Sequence, residues 1–334
     1  MKKRYWIPLV FLFVLVITYF SGPRPSVPSY SYELPDLPKD LQQLEDYVKR
    51  REASEPVRKD NQARIKWQDS VPQITEYSLV YLHGFAGSYR DGFPVNINIA
   101  DSLNANLFLT RWGDHGLKPA ESLENFSPEA AWNSAKEALV IGNLIGRKVI
   151  IMSTSTGGTL AIKLAAEYPE LVYALINMSP NLEDDVPGAF ILNSPWGYEV
   201  ARLVSFGERK KVSHQKEIAR QYWDTVYPSS ALVDLQSLVE TTMTPQTFKK
   251  VKTPVLTLYY KQNFIQKDEH VEVSFYPEVH KQFATPDSLV ELTALETPGT
   301  HFIGSNIKSK DTEVVEKEIL EYLKNKLKID LSSE

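Results

Sequence analysis

Residues 149–158 read Val149-Ile150-Ile151-Met152-Ser153-Thr154-Ser155-Thr156-Gly157-Gly158, and Thr159-Leu160-Ala161 follow. An apolar, β-branched run that stops abruptly in small hydroxyl residues and glycine reads as a buried strand turning sharply into a helix. Such a turn lifts one side chain above the sheet edge and sets it at a helix N-terminus, where the helix dipole favours developing negative charge. Ser155 occupies that position. Tiny neighbours are needed where backbones crowd, and Gly157 and Gly158 supply them. The spacing approximates G-x-S-x-G, the strained turn that exposes a nucleophilic serine. Ser153 stands where the first glycine of that pattern belongs, so the turn must open slightly to admit its side chain.

Outward from this strand the chain alternates between two periodicities. Apolar segments at 78–82, 106–110, 148–153, 173–178, 254–260 and 289–295 are separated by helical patterns, with one further short segment at 64–67. The alternation predicts an α/β protein with a mostly parallel, doubly wound sheet flanked by helices. Ser127 and Pro128 start the helix before the 148–153 strand, and Gly146 ends it. Asp311 is placed to cap a closing helix whose Val314, Val315, Ile319, Leu320, Leu323 and Leu327 share one face.

The alternation stops at about 181–252, where about seventy residues rich in aromatic and charged side chains replace a short crossover. This predicts an inserted helical cap. Its Trp196, Trp223 and Met243, with Phe190, Ile191 and Leu192, are candidates to roof an apolar substrate pocket, although the same residues would also serve as cap core.

Composition narrows the chemistry. With 334 residues, 43% of them hydrophobic, the chain can bury one large core, and a formal charge of −5 argues against a nucleic-acid partner. Zero cysteines exclude disulfides, thiolate metal sites and a cysteine nucleophile. No paired histidines at helical spacing, no carboxylate cluster with ligand spacing and no phosphate-loop motif appear, so neither metal nor cofactor is expected.

The N-terminus differs from everything after it. Lys2, Lys3 and Arg4 precede an uncharged apolar run at 5–20, which as a helix would reach about 24 Å against a hydrocarbon core of about 30 Å. Residues 1–22 are therefore expected to be a short uncleaved membrane anchor, with a cleaved signal peptide as the alternative. The basic cluster would stay cytoplasmic and place the rest of the chain beyond the membrane; signal cleavage would make it secreted or periplasmic. Residues 23–63 read as a proline-rich spacer followed by a short amphipathic helix at 39–51, leaving 64–330 as the folded domain.

A second strand-to-loop transition, Leu79-Val80-Tyr81-Leu82-His83-Gly84-Phe85-Ala86-Gly87-Ser88, bears on function. Acyl transfer needs donors aimed at a developing oxyanion, and a serine turn supplies one of them, here the Thr156 amide. The second is expected from the loop after this earlier strand, at the Phe85 amide, with His83 and Gly84 shaping the loop. These segments, with Trp112-Gly113-Asp114-His115-Gly116 and Thr297-Pro298-Gly299-Thr300-His301-Phe302, resemble the α/β-hydrolase superfamily over roughly residues 65–328, particularly its esterase, monoglyceride-lipase-like and serine-aminopeptidase-like members.

The resemblance implies the chain order nucleophile, acid, histidine, each on a loop after a strand. His301 fits the base: it follows the 289–295 strand in a Gly- and Pro-containing loop, and imidazole shuttles protons near neutral pH. His115, His214, His270 and His280 read as surface or structural residues. For the acid, Asn263 comes first by simple spacing but cannot carry charge. Asp268, followed by Val271 and Val273, matches the family's acid if the loop is several residues longer, with Glu269 next. The resemblance implies a serine hydrolase acting on small carboxylic esters, monoacylglycerol-like or of short to medium acyl chain. An aminopeptidase, an acyltransferase or a non-catalytic binding protein on the same fold are the alternatives.

Overall fold

The computed structural model describes residues 6–183, 185, 188–214 and 216–331. The strands are β1 (Arg64–Lys66), β2 (Thr75–Leu82), β3 (Asn106–Leu109), β4 (Gly146–Thr154), β5 (Ala174–Met178), β6 (Arg209–Lys211), β7 (Val226–Pro228), β8 (Val255–Tyr260) and β9 (Val290–Leu295). The helices are α1 (Trp6–Phe20), α2 (Leu41–Ala53), α3 (Val95–Ser102), α4 (Pro128–Ile145), α5 (Thr156–Glu167), α6 (Gly197–Val204), α7 (Glu217–Tyr222), α8 (Ser230–Thr242), α9 (Pro245–Phe248), α10 (Tyr276–His280) and α11 (Glu313–Asn325).

Seven strands form one sheet in the order β1-β3-β2-β4-β5-β8-β9, antiparallel only at the β1–β3 edge. Alternate residues of β4 feed opposite cores, as the two-residue period of a strand requires. Val149 and Ile151 pack with Trp132, Leu139 and Leu160 on the α4–α5 side, whereas Ile150 and Met152 pack with Ile99, Ile319 and Leu323 on the α3–α11 side. From β2 the chain crosses to β3, and from β4 it crosses the other way to β5. The C-terminal ends of β2 and β4 therefore flank a topological switch point, the crevice where open α/β sheets bind ligands.

Local chemistry sets the boundaries. Ser127 caps α4 by accepting from the Ala130 amide at 3.1 Å, with Pro128 in the first turn, and Asp311 accepts from Val314 N at 3.1 Å ahead of α11. Gly146 passes directly from α4 into β4 with an extended φ of −154°. Glycine is required there by close approach, because a Cβ would lie 2.5 Å from the backbone and side chain of Ser78.

Three expectations need correction. First, the proline-rich segment is no loose spacer. Tyr168 and Trp132 donate to the carbonyls of Tyr32 and Ser31 at 2.7 and 2.8 Å, Lys136 donates to Glu33 O at 2.7 Å, and the Lys163 ammonium lies 4.5 Å from the Tyr30 ring. An extended chain keeps its carbonyls free, and tyrosines among the prolines bind it along α4 and α5.

Second, α1 does form from the apolar run and exposes its side chains, but it has 15 residues, and no helix among the described residues is long and apolar enough to cross a membrane. The basic residues 2–4 lie outside the described residues. Third, the 181–252 insertion is not all cap. Helices α8 and α9 pack on α4 and α5 and are the β5-to-β8 crossover, while the true excursion contains a small antiparallel pair, β6 with β7, as well as α6 and α7.

Candidate active site

Ser155 follows β4 with φ 55° and ψ −123°, a conformation that L-residues rarely adopt, and α5 begins at the next residue. Its carbonyl accepts from the amides of Gly158 and Asn181, each at 2.8 Å, which closes the turn and ties it to the end of β5. A Cβ on Gly157 would lie 2.0 Å from the carbonyl oxygen of Leu82, so glycine is obligatory where α5 starts against the end of β2. Ser153 is accommodated because its hydroxyl donates to Asn177 Oδ1 at 2.8 Å. A side chain at the first motif position is tolerated when its polar tip finds a partner on the neighbouring strand.

The loop after β2 approaches the same point. A Cβ on Gly84 would sit 3.0 Å from the Ser155 Cβ. Gly87 N donates to Gly84 O at 3.1 Å and Ala86 adopts φ 55°, the pattern of a type II turn, which leaves the Phe85 amide outside the turn's own hydrogen bond. His83 is fully buried, donates from Nδ1 to Gly84 O at 2.9 Å and stacks on Trp112. Burial first, and then His115, push its pKa well below the ordinary value, so it stays neutral and shapes the loop. His115 is likewise buried, stacked on Trp112 and lowered to about 4, chiefly by burial. The Phe85 ring meets Phe126 and the cap residue Tyr227, and Asp224 N of the cap donates to Ala86 O at 2.7 Å.

The other two predicted residues meet on the loops after β8 and β9. His301 Nδ1 donates to both carboxylate oxygens of Asp268, at 2.9 and 2.8 Å, and the two residues are 4% and 1% exposed. Asp268 also accepts from the amides of His270 and Val271 at 2.9 and 3.3 Å. Burial opposes its ionisation, yet the imidazole and these donors hold its carboxyl below the ordinary value. The spacing problem is resolved locally. Residues 261–267 pinch off, with Lys261 bridged to Lys267 and Gln262 N donating to Gln266 O, and Asp268 N donates to Tyr260 O at 3.1 Å. Asp268 thus stands in space immediately after β8. Asn263 and Glu269 are exposed; the Asn263 side chain bonds Gln266 and the amide of Ile265 within the small excursion.

Exposed His270 and half-buried Phe302 each place a ring 4.9 Å from that of His301, and Phe302 packs on the cap's Trp223. His301 and Ser155 both stand on segments that leave the C-terminal ends of parallel strands, β9 and β4. The Gly84 amide donates to Asp91 Oδ2 at 2.7 Å, and Asp91 lies within electrostatic reach of His301. No hydrogen bond joins the Ser155 hydroxyl to His301 in this structure, where His301 bonds Asp268 instead.

The cap candidates separate. Trp223 lies near the histidine loop, and Met243 lines a cleft of about 520 Å³ with Leu182, Gln236, Val239 and Phe275. Neither Ser155 nor His301 lines that cleft, so it neighbours the site without forming its floor. Trp196 is engaged elsewhere: its indole N–H donates to the carbonyls of Thr18 and Tyr19 at the end of α1, 3.2 Å each. Two buried features escaped sequence reading, the Asp91–Tyr81–Thr154 network below the loop and the Arg58–Asp224 ion pair that fastens the cap. Among the described residues no group of histidine and carboxylate side chains is arranged to hold a metal.

No family model matches the sequence, and no curated protein matches it. Solved structures do. One of the metagenome-derived lipolytic enzymes LipS and LipT superimposes with a TM-score of 0.64 at 16% identity, covering 80% of this chain and 99% of its own. Paleococcus ferrophilus monoacylglycerol lipase gives 0.57 at 14% identity, covering 78% and 97%. A soluble variant of monoglyceride lipase from Saccharomyces cerevisiae gives 0.55 at 14% identity, covering 94% and 100%. Sheet order, crossovers and these superpositions agree: the chain has the α/β-hydrolase fold.

Proposed function

We propose that the chain is a serine hydrolase that cleaves carboxylic esters through an acyl-enzyme intermediate. The observation that carries this reading is the buried Asp268–His301 pair at 2.8 Å, held at the same end of the sheet as a serine in a strained strand-to-helix turn. In this mechanism His301 Nε2 takes the proton of Ser155 as Oγ attacks the acyl carbon. The carbonyl oxygen gains the charge and is bound by the amides of Phe85 and Thr156. Asp268 holds Nδ1 protonated and stabilises the imidazolium. His301 then protonates the departing alcohol, and water, activated by the same imidazole, releases the acid.

Lipolytic and monoacylglycerol-cleaving enzymes among the solved structures of this fold support an ester over an amide. A serine-directed fluorophosphonate is expected to label the wild type and not Ser155→Ala. Label that survives the substitution contradicts the assignment, and failure of the wild type to label favours a binding protein. A series of p-nitrophenyl esters beside aminoacyl amides tests substrate class; faster turnover of the amides overturns the ester assignment. The exposed apolar α1 supports attachment to a lipid surface through residues 1–22. Co-sedimentation with phospholipid vesicles that persists after residues 1–22 are removed would refute it.

A further inference from the structure

Asp91 is fully buried behind the loop that carries Phe85, and no lysine or arginine is ion-paired with it among the described residues. The neighbouring Arg90 guanidinium turns away, stacking 4.0 Å over Phe93 and 5.0 Å over Tyr222. Removing a carboxyl from water without a cation is expensive, so its surroundings must justify the position. They are few and specific. Oδ2 accepts the Gly84 amide at 2.7 Å, Oδ1 accepts the Tyr81 hydroxyl in a very short contact, and that hydroxyl is 2.7 Å from Thr154 Oγ1. Gly87 leaves room for the carboxyl, since a Cβ there would come 2.8 Å from Oδ2.

Gly84 immediately precedes Phe85, and Thr154 and Ser155 immediately precede Thr156. One short chain of hydrogen bonds, Gly84–Asp91–Tyr81–Thr154, therefore joins the two backbone segments whose amides face the substrate carbonyl in the mechanism above. We propose that Asp91 is a positioning residue that, with Tyr81, sets the spacing between the Phe85 and Thr156 amides. This rests on the serine-hydrolase reading. An oxyanion hole works by being fixed before charge develops, so an error in that spacing is felt in the transition state more than in substrate binding.

The test uses the full-length protein with Asp91→Ala, Asp91→Asn and Tyr81→Phe. Turnover of a p-nitrophenyl ester is measured per fluorophosphonate-titrated serine, together with affinity for a trifluoromethyl ketone that mimics the tetrahedral intermediate. Asp91→Ala is expected to lower kcat about 10- to 100-fold, leave KM within about twofold and weaken the ketone by the same factor as kcat. Asp91→Asn, whose amide oxygen still accepts from Gly84, is expected to recover to within about fivefold of wild type. Wild-type kcat per labelled serine in Asp91→Ala overturns the inference alone, as does a fall in kcat with unchanged ketone affinity. If Asp91→Ala does not fold, Tyr81→Phe decides: a parallel fall of about three- to tenfold in kcat and ketone affinity supports the role, and wild-type values overturn it. A wild type that the fluorophosphonate fails to label overturns the hydrolase reading and this inference with it.

Discussion

Asp268 and Asp91 are both buried carboxyls, and their surroundings drive them in opposite directions. Asp268 lies directly against the imidazole and accepts two backbone amides, which outweigh burial and hold it below the ordinary carboxyl value. Asp91 has a tyrosine hydroxyl, one amide and the more remote imidazole, and burial dominates, raising it to about 7. A third aspartate, Asp224, shows that a cation alone does not decide the matter. Arg58 is 2.6 Å away, yet burial still lifts the carboxyl to about 6. What separates Asp268 is the sum of its donors, which suits it to stabilise a transient imidazolium, whereas Asp91 is suited to hold a backbone amide in place.

Substituting each aspartate or its partner tests the contrast. The largest effect is expected for Asp268→Asn, whose amide cannot hold Nδ1 in the right tautomer; kcat for ester hydrolysis should fall about a thousandfold or more, read by steady-state kinetics. A loss under tenfold would mean that another group orients His301. Next is the pH dependence of stability. With its folded pKa raised from 3.8 to about 7, Asp91 carries a proton in the folded chain that it lacks in the unfolded one. Stability is therefore withdrawn as pH rises through that window, on the order of 4 kcal/mol at full extent. Asp91→Asn should abolish this, raising the denaturation midpoint relative to wild type at pH 8 but not at pH 4. Asp268 runs the other way: its contribution is present above the unfolded pKa and lost as pH falls through the depressed folded value.

Arg58→Ala should cost about 3 kcal/mol in chemical denaturation, because the buried Asp224 is left without its cation; an unchanged midpoint would show that the cap does not depend on this pair. The smallest effect is expected at Asn263, where alanine should leave kcat/KM within about twofold, since its side chain bonds only its own small excursion.

Much of this was legible in the sequence, for definable reasons. Strand periodicity located β2, β3, β4, β5, β8 and β9, and the crowding of small residues at 153–158 located the sharp turn. The placement of Asp268 beside His301 depended on residues 261–267 folding back on themselves, a long-range fact that spacing alone could not supply. Asp91 follows Arg90 and looks like half of a surface ion pair; only the register of Tyr81 in β2, with its hydroxyl turned inward, shows otherwise. The proline-rich arm misled because composition reports backbone stiffness and says nothing of whether Trp132 awaits the Ser31 carbonyl or Lys163 the Tyr30 ring. The end of the cap misled because α8, read as an insertion, is the crossover itself.

The most direct test is a crystal structure of the protein after reaction with a phosphonate ester. The account predicts phosphorus bonded to Ser155 Oγ, its phosphoryl oxygen within about 3.2 Å of the Phe85 and Thr156 amides, and His301 Nε2 turned to the same centre. An adduct on another residue, or a phosphoryl oxygen pointing away from those amides, would contradict it.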